Sequence, residues 1–110
     1  MKKDLIFIPA MLVIAILLFL QSVTGLAAHI AISVVGVLVL AVYTSATRKD
    51  WKDPVLEIIT RVFYGIALVT GIIVNAGNIL AINIVHSASA ALFTILLIVL
   101  LVKKFVANKK

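Results

Sequence analysis

Four long apolar stretches, separated by short polar segments, constrain this chain more than any other feature of its sequence. An apolar run of about 18 or more residues is long enough to cross a bilayer as an α-helix. The pattern predicts such helices at about residues 5–21, 25–46, 55–74 and 79–102. Because these stretches occupy most of the 110 residues, a large water-facing domain is excluded. We therefore expect an all-α fold, with residues 1–110 forming one transmembrane four-helix bundle built from two helical hairpins.

The charged residues are confined to the two ends and the centre of the sequence. Ten Lys and Arg residues and four Asp and Glu residues give a net charge of +6, and all of them lie within 2–4, 48–61 or 103–110. Positively charged segments next to membrane spans stay on the cytoplasmic side. The sequence thus predicts a multi-pass protein of the inner (cytoplasmic) membrane with both termini in the cytoplasm. The basic tail indicates contact with the lipid bilayer and not with nucleic acid.

The central charged segment carries signals for the start of the third helix. Asp53 can cap this helix, and Pro54 suits its first position. Glu57 and Arg61 are spaced i,i+4, so they are expected to pair on one face and anchor the helix at the interface. Contact with a cytoplasmic substrate or a lipid headgroup is the alternative role for this pair.

Composition excludes several kinds of chemistry. The chain has no cysteine, which rules out disulfides, thiolate metal sites and thiol nucleophiles. The apolar stretches contain no Ser-His-Asp set, phosphate-binding loop or paired carboxylates, so hydrolysis and phosphoryl transfer are not predicted. No catalytic residue is assigned from the sequence. The chemistry that remains lies with the only two histidines, His29 and His86.

The two histidines are expected at similar depths in the membrane. In the predicted topology, the second and fourth helices both run from the outside to the inside. His29 lies 19 positions before Arg48, and His86 lies 17 positions before Lys103. At about 1.5 Å per residue, both imidazoles fall in the outer half of the bilayer. They can face one another if the two helices touch, either within one chain or across a homo-oligomer.

Small and polar residues accompany both histidines. Ser33 follows His29 by four positions, and Asn83 and Ser89 flank His86 by three positions on either side. Small residues let helices approach closely or leave space for a flat ligand. Ser and Asn can also hold the second imidazole nitrogen and fix the tautomer for metal ligation. We therefore predict Ser33, Asn83 and Ser89 as pocket residues. The glycines expected to mark close helix packing are Gly36, Gly65 and Gly71.

Three interpretations of the histidine pair are open from the sequence. Each histidine can be neutral and hydrogen-bonded, with a structural role near the outer interface. The pair can be the axial ligands of one haem b, because the porphyrin supplies the other four iron ligands. The pair can also form a proton, transition-metal or substrate site in a transporter. Zinc is disfavoured, since it takes three or four protein ligands and no Cys or carboxylate lies at that depth.

The chain resembles a minimal membrane b-type cytochrome. The motifs that carry the resemblance are Thr24-Gly25-x-x-x-His29 and the stretch HSASA at His86–Ala90. Separately, the chain contains a weak internal Val-Thr-Gly repeat at 23–25 and 69–71. The resemblance covers the whole topology and implies one haem b, with its iron bound by His29 and His86 near the outer face. It further implies electron exchange with a quinol or an outer-side redox partner, or haem sensing or handling.

Larger members of that group hold two haems with four histidines, whereas this chain has ligands for one. One haem in the outer half of the bilayer does not reach the inner face. The alternative from a different class is a small membrane transporter or accessory subunit without a cofactor. The sequence leaves open whether the protein is an enzyme.

Overall fold

The chain is helical along almost all of its described length. The computed structural model describes residues 2–77 and 80–109, and all regular structure in those residues is helical. Four long helices and two short helical segments follow one another there. These are α1 (Lys2–Phe19), α2 (Gln21–Thr24), α3 (Leu26–Thr47), a 3₁₀ turn (Arg48–Asp50), α4 (Pro54–Ala76) and α5 (Leu80–Lys109). The predicted all-α fold is confirmed.

Helix ends differ from the predicted ends mainly where charged residues extend a helix beyond its apolar stretch. α1 begins at Lys2 instead of about residue 5, and α5 continues to Lys109 instead of ending near residue 102. Lys and Ala are good helix formers, and neither extension contains the Gly or Pro that usually ends a helix. Hydropathy therefore marks the membrane-compatible part of each helix and not the whole helix.

Local signals set the other helix boundaries. Gly25 separates α2 from α3 with φ of +90°, in the left-handed region that glycine adopts readily because it has no Cβ. At the start of α4, the Asp53 side chain accepts a hydrogen bond from the Leu56 backbone N–H at 3.3 Å, and Pro54 occupies the first turn. Both predictions for this helix start are confirmed.

Three helical segments among the described residues are long and apolar enough to cross a membrane: Leu26–Asp50, Pro54–Val74 and Leu80–Ala107. The sequence predicts four. α1 is not among them, and its 18 residues include the three charges of Lys2, Lys3 and Asp4. The helices also expose many Leu, Ile and Val side chains, as expected where lipid and not water surrounds a helix.

The chain divides into two compact units. The first comprises Met1–Lys52 and Leu97–Lys110, and the second comprises Asp53–Leu96. In the first unit, α1 packs against α3, and the C-terminal part of α5 contributes Lys104 to a polar contact with both helices. In the second unit, α4 packs against the N-terminal part of α5, with Tyr64 and Phe93 in edge-to-face contact at 4.9 Å between ring centroids.

Candidate functional site

His86 lies on α5 in the second unit, and its imidazole rests against α4. Its Nδ1 is 2.7 Å from the backbone carbonyl oxygen of Ala67 and 3.3 Å from Oγ1 of Thr70. A carbonyl oxygen can only accept a hydrogen bond, so Nδ1 carries the hydrogen. In the neutral ring, the lone pair then belongs to Nε2. This arrangement makes Nε2 the atom through which His86 could bind a metal.

Thr70 adds a second acceptor beside the Ala67 carbonyl. Its hydroxyl donates to the Ile66 backbone carbonyl oxygen at 2.7 Å, on the preceding turn of α4. The single hydroxyl hydrogen is therefore used within the helix, and the oxygen is left to accept from Nδ1 of His86. Thr70 is buried, so water competes little for this contact.

Gly71 allows the close approach of His86 to α4. A Cβ atom at this position would lie 2.9 Å from Cε1 of His86 and 3.3 Å from its Nδ1, which is too close without a shift of the ring. A Cβ at Gly65, earlier on the same helix, would meet nothing within 4 Å. The prediction that glycines mark close helix packing is confirmed for Gly71 and wrong for Gly65.

His29 lies near the start of α3 in the first unit. Its backbone N–H donates to the Gly25 carbonyl oxygen at 3.0 Å. Its side-chain Nδ1 is buried and has no hydrogen-bond partner among the described residues. An unpaired buried polar atom costs about 1–3 kcal/mol. A bond from this nitrogen to a ligand would offset that penalty.

The other predicted pocket residues lie on the same helices as the histidines. On α3, Ser33 is half-buried, and its hydroxyl donates to the Ile30 carbonyl oxygen at 2.7 Å. On α5, Asn83 is half-buried and Ser89 is buried. Among the described residues, the hydrogen bonds of His86 go across to α4 and not to either of these two side chains.

The residues that contact His86 on α4 are not assigned to the site by the sequence alone. Ala67 acts through its backbone carbonyl, which no side-chain pattern can reveal. Thr70 and Gly71 belong to the second copy of the Val-Thr-Gly repeat, and this repeat is the signal that could have identified them. Inside an apolar helix, a glycine lets another helix approach closely, and a polar residue beside it can hydrogen-bond a polar group on that helix.

A second polar cluster lies in the first unit and joins Asp4, Tyr43 and Lys104. The Tyr43 hydroxyl and the Lys104 ammonium each donate to Oδ1 of Asp4 at 2.7 Å, and Lys104 also donates to the Tyr43 oxygen at 3.0 Å. Asp4 and Tyr43 are buried, and the ring of Phe7 stacks on that of Tyr43 at 5.3 Å.

Opposing effects set the ionisation of Asp4. Burial by itself raises the pKa of Asp4, because it disfavours the charged carboxylate. The hydrogen bonds from Lys104 and Tyr43, together with the Lys104 charge, act in the opposite direction and outweigh burial. The pKa of Asp4 therefore lies below its usual value, and the carboxylate is ionised at neutral pH.

The predicted pair of Glu57 and Arg61 is confirmed. Nη1 of Arg61 lies 3.2 Å from Oε2 of Glu57 and also donates to the Glu57 backbone carbonyl oxygen at 2.9 Å. The Glu57 side chain is only 1% exposed, so the carboxylate is buried.

Within residues 2–77 and 80–109, no group of three or more His, Asp or Glu side chains could hold a metal ion. Haem is a different case, because the porphyrin supplies four nitrogens and the protein supplies only axial ligands. Comparisons with protein-family models, with curated proteins and with solved structures found no significant match to this chain.

Proposed function

We propose that this chain is a multi-pass membrane protein that binds one haem b, with His29 and His86 as the axial iron ligands. The observation that carries the proposal is the 2.7 Å hydrogen bond between Nδ1 of His86 and the Ala67 carbonyl oxygen. Metal-binding histidines almost always donate their other N–H to a carbonyl, a carboxylate or water. Such a bond orients the ring and makes the ligating nitrogen more basic. The donor on α5 thus fits the group.

The buried, unpartnered Nδ1 of His29 supports the same proposal from the first unit. A neutral structural histidine is expected to have its buried ring nitrogens hydrogen-bonded. Coordination through Nδ1 would give this nitrogen a bond that the described residues do not supply. The unpaired nitrogen is a property of His29 by itself, whatever the position of this residue relative to His86.

When bound, the haem would supply one-electron redox chemistry at its iron. The chain would hold it through His29 and His86. Ser33, Asn83 and Ser89 are the proposed polar residues of the pocket. We propose that the site exchanges electrons with a quinol or an outer-side redox partner. Haem sensing or handling is a second use of the same site.

The decisive experiment is optical. The protein is purified in mild detergent from haem-replete cells, and oxidised and dithionite-reduced absorption spectra are recorded. We expect a sharp reduced α-band of b-type haem that is altered or lost in both His29→Ala and His86→Ala. Ser45→Ala, at an exposed position of α3, serves as the control and should keep the wild-type spectrum. A wild-type protein that stays colourless after haem is added would refute the proposal.

The proposed location is the cytoplasmic membrane, with both termini and the central segment in the cytoplasm. The three membrane-length helices and the positive charges at the two ends and the centre support it. We propose residues 5–21, which begin within α1, as the fourth span, because the charges of α1 precede that stretch. The histidines would then lie toward the outer face.

Topology can be tested by labelling, because the chain has no cysteine of its own. In intact cells, an impermeant thiol reagent should label Gly77→Cys, which lies between α4 and α5. Lys49→Cys, in the central segment, should be labelled only after the membrane is permeabilised. The opposite pattern would show that the proposed orientation is inverted.

A cofactor-free transporter or accessory subunit is the competing proposal, and the packing of His86 on α4 gives it specific support. A hydrogen-bonded histidine between two helices can be purely structural. An accessory subunit should be colourless, and substitution of either histidine should change its stability but not its function. A transporter should also be colourless but should lose activity with either substitution.

A further inference from the structure

We infer that Thr70 and Gly71 are positioning residues that hold His86 in the Nδ1–H form and leave Nε2 free for a metal. The inference rests on the proposed function for its purpose, since a free Nε2 matters only if a metal binds there. Its geometry can be tested without any cofactor. A tautomer measurement on the haem-free protein and a separate haem titration therefore distinguish the positioning of His86 from haem binding.

Two oxygen acceptors on α4 face the same imidazole nitrogen. The Ala67 carbonyl oxygen is 2.7 Å from Nδ1 of His86, and Oγ1 of Thr70 is 3.3 Å from it. Both hydrogen bonds that His86 makes among the described residues thus use Nδ1. The hydrogen bond made by one ring nitrogen decides which nitrogen carries the proton. This pair of acceptors selects the Nδ1–H tautomer, whereas an unconstrained imidazole exchanges between the two forms.

The Ala67 acceptor belongs to the backbone, so its distance from His86 depends on how closely the ring approaches α4. Gly71 sets that distance, because any side chain there would meet the imidazole at 2.9 Å. In Gly71→Ala the ring must move away by a few tenths of an ångström or more. The 2.7 Å contact lengthens accordingly, and selection of the tautomer weakens.

Thr70 contributes through its oxygen and not through its proton. The hydroxyl hydrogen is directed to the Ile66 carbonyl oxygen at 2.7 Å. Thr70→Val keeps the shape of the side chain and removes the hydroxyl, which is both the acceptor beside Nδ1 of His86 and the donor to the Ile66 carbonyl oxygen, whereas Thr70→Ser retains it. Thr60 makes the same kind of bond, from Oγ1 to the Leu56 carbonyl oxygen at 2.7 Å, and provides a matched control on α4.

The test uses the haem-free full-length protein with ¹⁵N-labelled histidine in detergent micelles. Nitrogen chemical shifts and long-range proton–nitrogen correlations identify which ring nitrogen of His86 carries hydrogen, and His86→Ala assigns the signals. We expect wild type to hold the Nδ1–H form and Gly71→Ala to show exchange between the two tautomers. Gly65→Ala should match wild type, because its Cβ meets open space.

Thr70→Val should shift the His86 signals in the same direction as Gly71→Ala, with recovery in Thr70→Ser and no change in Thr60→Val. These variants keep the inference testable if Gly71→Ala does not fold, which circular dichroism would show. Wild-type His86 in the Nε2–H form would overturn the inference. Nδ1–H signals unchanged in both Gly71→Ala and Thr70→Val would overturn it as well.

Haem titration provides the second readout. Loss of an outer-shell partner of a metal-binding histidine typically lowers metal affinity about 10- to 100-fold. We expect a loss of this order in Gly71→Ala, with a higher midpoint potential because the imidazole becomes a weaker donor. Gly65→Ala should change neither quantity. A stable Nδ1–H form in a protein that binds no haem would support the positioning of His86 and refute the proposed function.

Discussion

Replacing Lys104 by Met tests the polar cluster of the first unit. Lys104→Met removes the ammonium that lies 2.7 Å from Oδ1 of Asp4 and keeps much of the apolar length of the side chain. Asp4 is only 6% exposed, so its carboxylate would stay buried with the Tyr43 hydroxyl as a neutral donor. We expect this variant to lower the free energy of unfolding.

The structure sets the expected size of this effect. Breaking a buried ion pair by removing one partner costs about 3–5 kcal/mol, because the other charge is left uncompensated. The Lys104 side chain is 17% exposed, so water screens part of its attraction to Asp4. When Lys104 is removed, water can also solvate part of the Asp4 carboxylate. We therefore expect a loss of about 2–3 kcal/mol for Lys104→Met. Asp4→Asn combined with Lys104→Met removes both charges and should cost less than Lys104→Met alone.

The assay is reversible unfolding in mixed micelles for wild type, both single variants and the double variant. Residues that interact give a coupling energy outside the roughly 0.3–0.5 kcal/mol error of additivity. Changes in stability that simply add would refute the reasoning, because they would show that Asp4 and Lys104 do not depend on each other. Tyr64→Phe serves as the control, because Tyr64 lies in the second unit and does not belong to the cluster of Asp4, Tyr43 and Lys104.

The same cluster predicts a pH dependence with a definite sign. The pKa of Asp4 is lower in the folded chain than its usual value of 3.8. A carboxyl of this kind stabilises the fold fully above its unfolded pKa, and this contribution disappears as the pH falls through the folded pKa. Wild type should therefore lose stability below about pH 3.8, whereas Asp4→Asn should lack that part of the loss.

Two further predictions concern the second unit and use thermal unfolding as the measurement. Asp53→Ala should lower the free energy of unfolding by about 1 kcal/mol, because it removes the cap of α4. Asp53→Asn should keep most of the stability that the cap provides. Equal stability of wild type and Asp53→Ala would contradict the capping role. The edge-to-face contact of Tyr64 and Phe93 should contribute a coupling energy of about 0.5–1.5 kcal/mol. A double-mutant cycle with Tyr64→Leu and Phe93→Leu measures this energy. A coupling energy near zero would contradict this contact energy.

Hydropathy and capping signals were sufficient to predict the helices. Long apolar runs, Gly25 and the Asp53-Pro54 pair specify where the helices form, because these effects act within a few residues of sequence. The ends of α1 and α5 were predicted less well, since charged residues continue a helix after its membrane-compatible part has ended. The number of membrane-length helices differs for the same reason, because the charges of α1 lie inside the helix.

The contacts between helices could not be predicted in the same way. Asp4 and Lys104 are 100 positions apart, and nothing local in either segment indicates that they form a pair. The contact of His86 with Ala67 is equally hidden, because the acceptor is a backbone atom. Such contacts depend on the register between helices, which a single sequence does not specify. The two histidines stand out from the sequence nevertheless, because ionisable side chains are rare in apolar helices.

His29 provides the sharpest distinction between a structural and a ligand-binding role. The Nδ1 hydrogen bond of His86 orients its ring as a metal ligand requires, and the buried Nδ1 of His29 has no partner among the described residues. If His29 serves a ligand, the haem-free protein bears the penalty of that unpaired nitrogen. His29→Leu, which removes the nitrogen and keeps an apolar side chain, should then stabilise the haem-free protein by about 1–3 kcal/mol.

The same variant should lose the b-type spectrum, so its stability and its haem binding should change in opposite directions. This opposition is expected of binding sites, where a residue is kept for its function at a cost to the stability of the empty protein. Thermal unfolding of the haem-free protein and haem titration of the same preparation measure the two quantities. If His29→Leu instead destabilises the haem-free protein, the imidazole contributes to the fold itself, and the argument for ligation would then rest on His86 alone.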